Sequence, residues 1–146
     1  VRRAVTAIAL FIVFVAPAQA KQASLQDRLL LSQTVANYIN DPDLKGYNDF
    51  NGARAVEIGA AVIEGIGALA DWRSVDGKHH GQVAFLHRCD SWNVLRVSNN
   101  VSLRAEQIAT DGGITRSVAR LLVARLSALE PRRVAYLKPP RAQMSC

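Results

Sequence analysis

Residues 56–97 read VEIGAAVIEGIGALADWRSVDGKHHGQVAFLHRCDSWNVLRV, and the period of this stretch decides the fold. Val56, Ile58, Ala60 and Val62 alternate with Ala55, Glu57, Gly59 and Ala61, as in a strand with one better-buried face. Glu64-Gly65 is a turn, after which Ile66–Arg73 continues the alternation through Ala68, Ala70 and Trp72. Asp76-Gly77 turns the chain again. Gly81–Arg88 is a third strand and Trp92–Ser98 a fourth, with Asp90-Ser91 between them. Connections this short make an antiparallel meander, because a parallel crossover takes a dozen or more residues.

On the N-terminal side, Ser24–Ile39 changes to a helical period, with Leu25, Leu29, Ala36 and Ile39 on one face and Val35 beside them. Ser24, with Asp27 three residues later, resembles a capping box, with Asp where Glu or Gln is the usual partner. Pro42 ends the helix, because it disfavours helical geometry in the residue before it. On the C-terminal side, Leu103–Thr110 forms a short helix stopped by Asp111-Gly112-Gly113. Thr115 caps a longer helix that turns Val118, Leu121, Leu122, Leu126 and Leu129 inward. Pro131 suits the first position of a last short helix. Pro139-Pro140 ends that helix, leaving residues 139–146 as a loose tail. The expected fold is α+β: an N-terminal helix, a four-stranded antiparallel β-meander, and two to three C-terminal helices packed on one sheet face.

The 146 residues carry 18 Lys+Arg against 12 Asp+Glu, and 49% are apolar. That balance excludes a disordered chain, and the length excludes an enzyme with separate cofactor and substrate lobes. Val1–Ala20 reads as an address. Arg2-Arg3 precede Ala4–Ala16, a run without a charge, and Ala18-Gln19-Ala20 supplies small residues where a signal peptidase needs them. The run is shorter than the ~20 apolar residues that span a membrane, and an uncleaved N-terminal anchor, which also uses an apolar run flanked by basic residues, is the alternative. Val1 itself fits a GTG start codon. The expectation is a cleavable signal peptide over 1–20, a single small domain over 21–146, and a periplasmic location. Without Val1–Ala20, 126 residues remain, with 16 basic and 12 acidic side chains and a net charge of +4. Cys89 and Cys146 then lie in a compartment where a single disulfide can form, or they stay as two free thiols.

The sharpest candidate site is His79-His80 in the hairpin between the second and third strands, because neutral imidazole suits copper and zinc. Adjacent side chains on an extended chain point to opposite sides, so a third ligand must come from elsewhere. Two solvated turn residues are the plainer reading of the doublet. His87 and Cys89 share the face of Val83 and Phe85 if the strand reaches that far, and together could hold a soft ion. Core packing or a disulfide is the plainer role for Cys89. Met144 and Cys146 add two soft sulfur donors at the terminus. Trp72 and Trp92 read as core residues. Arg104, Arg116, Arg120, Arg125, Arg132 and Arg133 form either a solvated face or a weak contact with an anionic membrane surface. Nucleic acid is disfavoured by the absence of interleaved aromatics. No phosphate loop, H-E-x-x-H or G-x-S-x-G occurs, so an enzyme is not expected.

Residues 62–97, with Ala70-Asp71-Trp72, the Gly-containing hairpin, His87-Arg88 and Trp92, resemble a family of small exported bacterial proteins associated with copper uptake. Val101-Ser102-Leu103-Arg104, the Gly112-Gly113 turn and Leu129-Glu130-Pro131-Arg132-Arg133-Val134-Ala135 extend that resemblance over roughly Ser24–Leu137. The resemblance implies periplasmic copper handling and states no reaction or ligand set. The expected function is therefore a non-catalytic accessory of copper uptake that binds copper or a partner, such as a periplasmic copper chaperone or transport protein. The expected metal ligands are His79 and His80, with His87, Cys89, Met144 and Cys146 behind them. The alternative is a metal-free module that binds a protein of the bacterial envelope through its sheet face.

Overall fold

A computed structural model describes residues 21–129 and 134–141. Its elements are β1 (Lys21–Gln22), α1 (Leu25–Asn40), β2 (Val56–Glu64), β3 (Gly67–Ser74), β4 (His80–Arg88), β5 (Ser91–Val97), α2 (Ala105–Ile108) and α3 (Arg116–Ala128). The architecture is α+β, with one antiparallel sheet in the order β1-β2-β3-β4-β5. The sheet has five strands rather than the four expected. The additional strand is the two-residue β1, which pairs Lys21 with Ile63 and Gln22 with Val62. So short a strand has no period for a sequence to display.

The sheet lies between two helical layers, which is why β2 carries an almost continuous apolar run. Val62, Leu69, Ala84 and Leu86 face α2 and α3, where Ile108, Ala119, Leu122 and Leu126 are buried. Ile58, Ala70, Trp72, Val83 and Phe85 face α1 on the other side. The C-terminal helices thus share one sheet face, as expected, and α1 takes the opposite one. Thr115 caps α3 by accepting a hydrogen bond from the Val118 amide at 3.3 Å.

The Ser24–Asp27 capping box forms as the sequence indicates, but the rotation of α1 differs. Leu31, Val35 and Ile39 are buried, while Leu25 and Leu29 are 60% and 46% exposed. Burying each of the inner three stabilises the fold by roughly 1.5–3 kcal/mol. Arg28 anchors this rotation: its guanidinium donates to the Gly59 carbonyl at 2.8 Å, to Ile58 O at 3.4 Å and to Ala135 O. Gly59 sits where the β2–β3 register shifts between Ile58 and Ala61. Arg28 therefore serves carbonyls at a bulge that interrupts the ladder.

The expected last helix at Pro131 begins outside the described residues. Residues 134–141, further along the chain, are not helical. The Leu137 amide donates to Ile58 O at 2.9 Å, forming an isolated bridge on the outer edge of β2. The Arg141 carbonyl accepts from Gln33 Nε2 at 3.2 Å. Tyr136 packs so closely on Gly59 that a Cβ there would lie 2.8 Å from its ring. One edge of the sheet is therefore covered by β1 and this strap, whereas no strand among the described residues pairs with the outer edge of β5.

Candidate functional site

The β3–β4 hairpin that carries the histidine doublet is tightly tied. The Gly77 amide donates to Ser74 O at 2.9 Å, the His79 amide to Ser74 Oγ at 3.0 Å, and Ser74 Oγ to Asp76 Oδ1 at 2.6 Å. The Lys78 amide donates to the same carboxylate at 3.0 Å. These bonds, the one from Ser74 foremost, hold the Asp76 carboxyl below its ordinary range.

From this hairpin the two histidines diverge. His79 Nδ1 lies 3.3 Å from Asn51 Nδ2, on the α1 side of the sheet. His80 is directly opposite Arg73 in the register and exposed, on the α3 side. His87 is near the far end of β4, with its ring edge-on to Trp92 at a centroid distance of 5.0 Å. His79 and His87 are separated by ~26 Å at 3.3 Å per residue along the strand.

Cys89 is not on the strand face shared by Val83 and Phe85. It has a free, exposed thiol, and with Asp90 forms the centre of the β4–β5 turn. Both residues are left-handed, at φ 50 and φ 62. This is a two-residue hairpin turn of the type whose twist matches its strands, one residue earlier than Asp90-Ser91. Met144 and Cys146 lie outside the described residues, as do Arg132, Arg133 and Val1–Ala20. Among the described residues no three His, Cys, Asp or Glu side chains come together to hold one ion. Arg104, Arg116 and Arg120 are exposed, and no described helix is long and apolar enough to cross a membrane.

The structure brings together a different set of side chains, on the part of the α3-side face near the β3–β4 hairpin. The register pairs Asp71 with Gln82, Arg73 with His80 and Glu57 with Arg73, so all five share that face. Arg73 Nε reaches Glu57 Oε2 at 2.6 Å, and its guanidinium lies 4.1 Å from the Tyr136 ring centre. Gln82 is held at both ends: Oε1 accepts from the Leu103 amide at 2.8 Å, and Nε2 donates to Asp71 Oδ1 at 3.2 Å. Burial pushes the Asp71 carboxyl above the usual carboxylate range, against the opposing effect of the Gln82 bond. Burial likewise raises the Tyr136 phenol, and the nearby Asp71 carboxylate adds to it. Asp71, His80, Gly81, Gln82, Asn100, Val101 and Ser102 line a cavity of about 140 Å³.

That cavity depends on a close backbone approach. Ser98 O accepts from Trp72 Nε1 at 3.1 Å. A Cβ at Gly81 would lie only 1.9 Å from the same oxygen. The bare Gly81 backbone thus lets the chain after β5 run beside β4, where the Asn100 amide donates to His80 O at 2.7 Å. Asp71 was missed from sequence although it carried a signal: an acid whose side chain points inward from the apolar strand GALADWRS.

A second feature lies along β5. A groove of about 380 Å³ is lined by Tyr38, Asp49 and residues 94–97, and another of about 440 Å³ by Leu86, Arg88, Cys89, Ser91 and residues 93–95. In a two-residue hairpin the closing pair, Arg88 and Ser91, is hydrogen-bonded across the strands, and pairs then alternate. Trp92 and Val94 fall in the alternate pairs, so their N–H and C=O groups face outward from the sheet.

Compared with protein-family models, curated proteins and solved structures, the chain matches none of them.

Proposed function

We propose that the chain is an exported, non-catalytic accessory protein of bacterial copper uptake that docks a copper-carrying partner, such as a periplasmic chaperone or transport protein, by strand addition. The observation that carries docking is the outer edge of β5, which no strand among the described residues pairs, with a groove on either side. An extended segment laid along Trp92 and Val94 would take up their outward backbone groups and alternate its side chains between the grooves. The copper assignment rests on the ordered motifs from Ser24 to Leu137, and export on the Val1–Ala20 pattern. Cleavage after Ala20 would leave every described element intact, because β1 begins at Lys21.

Deleting the coding sequence and measuring cellular copper under copper limitation tests this reading. Loss of copper, restored by the wild-type chain and not by Val94→Pro, is the expected result. Proline at 94 removes one outward N–H and leaves the hydrogen-bonded β4–β5 pairs in place. Unchanged copper in the deletion strain refutes the copper assignment, and full restoration by a folded Val94→Pro refutes the edge.

A further inference from the structure

We propose that the cavity between β3, β4 and residues 100–102 binds one divalent cation of borderline softness, Cu(II) foremost, through the Asp71 carboxylate and the His80 imidazole. Asp71 and His80 are diagonal neighbours on adjacent strands, with Cα atoms ~7–8 Å apart. That spacing lets a carboxylate and an imidazole converge on a single ion at bond lengths of about 2 Å. The cavity, about 140 Å³, leaves room for the ion together with water. Asn100 and Ser102 also line it, and both residue types carry oxygen donors.

The state of Asp71 points to a cation. Its carboxylate is partly buried and receives one side-chain hydrogen bond, the long one from Gln82. Arg73, the nearest cation in the register, is already engaged by Glu57 in the only ion pair among the described residues. A partly buried anion without a counter-charge is costly, and a bound cation offsets that cost. The Gln82 amide is oriented by the Leu103 amide at its other end. It therefore fixes one carboxylate oxygen and leaves the second for a ligand, as partners behind metal ligands commonly do.

The donor set selects the ion. One imidazole nitrogen with carboxylate and neutral oxygens suits Cu(II), Ni(II) or Zn(II) rather than Cu(I), and affinity at such sites peaks at Cu(II). Among the described residues no sulfur donor lines this cavity, and Cys89 lies beyond the far end of β4. The choice of copper deepens the functional reading above and rests on it, whereas the class of ion rests on the donors alone.

Competition titration of the purified chain with Cu(II), and then with Zn(II), against a chelator at neutral pH tests the site. One Cu(II) per chain is expected, with Zn(II) weaker. Asp71→Asn and His80→Ala should each weaken Cu(II) by at least about tenfold, and His79→Ala should change it less than about twofold, because its ring is on the other face. Loss of a nitrogen hyperfine coupling in the Cu(II) resonance spectrum of His80→Ala identifies the imidazole directly. Asp71→Asn keeps the side-chain shape, so its circular dichroism and melting serve as the folding control. No Cu(II) binding by the wild type overturns the proposal, as does binding that tracks His79 or Cys89 instead. Either result leaves the uptake reading to the cellular copper measurement. Conversely, unchanged copper in the deletion strain refutes that reading without touching a site that titrates as described.

Discussion

Gly81→Ala is the single substitution that bears on most of the structure at once. The added Cβ would sit 1.9 Å from Ser98 O and 3.0 Å from Trp72 Nε1. Neither is the free end of a flexible chain, so the backbone after β5 has to move. Forcing a methyl group into a packed interior costs roughly 1–3 kcal/mol. Moving Ser98 O also breaks its bond with Trp72, whose side chain is fully buried. Leaving that indole N–H unsatisfied adds about 1–3 kcal/mol. The combined destabilisation is about 2–6 kcal/mol, which at ~4 °C per kcal/mol for a domain of this size lowers Tm by ~8–24 °C. Differential scanning calorimetry on wild type, Gly81→Ala, Trp72→Phe and the double variant separates the two contributions. Trp72→Phe has already lost the N–H, so Gly81→Ala should cost about 1–3 kcal/mol less in that background. A fall in Tm of under about 4 °C for Gly81→Ala, or strict additivity in the cycle, refutes the close approach as the element that holds residues 98–102 against β4.

Local geometry sets three further outcomes. Arg28→Met removes charged donors from Gly59 O, Ile58 O and Ala135 O and should cost ~2–4 kcal/mol in urea unfolding; limited proteolysis near 134–141 should quicken, and unchanged cleavage there would show that Arg28 does not hold the strap. Cys89→Gly should stabilise by about 1 kcal/mol, since φ 50 is left-handed and glycine adopts it without strain, and a loss of stability by the same assay would refute the turn assignment. Tyr38 is pushed up to about 12 by burial first, then by its hydrogen bond to Asp49 and that carboxylate's charge. The fold favours the neutral phenol, so this contribution is fully present below the ordinary value near 10 and is lost as pH rises through about 12. A phenolate absorbance step near pH 12 should therefore vanish in Tyr38→Phe, and its persistence would refute the assignment.

What the sequence displayed was local. The four longer strands, the Ser24 cap and the Thr115 cap each depend on residues within a few positions, and each formed as read. The features that escaped are set by distant partners. Leu25 and Leu29 looked as apolar as Leu31 and Val35, and the rotation that exposes the first pair goes with Arg28 finding Gly59, 31 residues away. The strap at Leu137 finds Ile58 across an even longer separation, and only the shape of the β2 edge makes that bridge worthwhile. Cys89 was misplaced because a one-residue shift in the turn moves a side chain from strand face to turn tip.

The candidate site obeys the same logic. On an extended chain the residues adjacent in sequence are the ones whose side chains cannot meet, so the His79-His80 doublet divides between the two faces of the sheet. Side chains that do meet come from neighbouring strands at matched register, and that register is fixed by the hairpin between them. The five-residue connection from Ser74 to His80 puts His80 opposite Arg73 and diagonal to Asp71. Glu57 then takes the arginine, and the aspartate is left facing the cavity with no cation paired to it among the described residues. The doublet conspicuous in the sequence thus contributes one histidine to this cluster, and the partner that gives that histidine a chemical role is an acid two positions before the arginine opposite it.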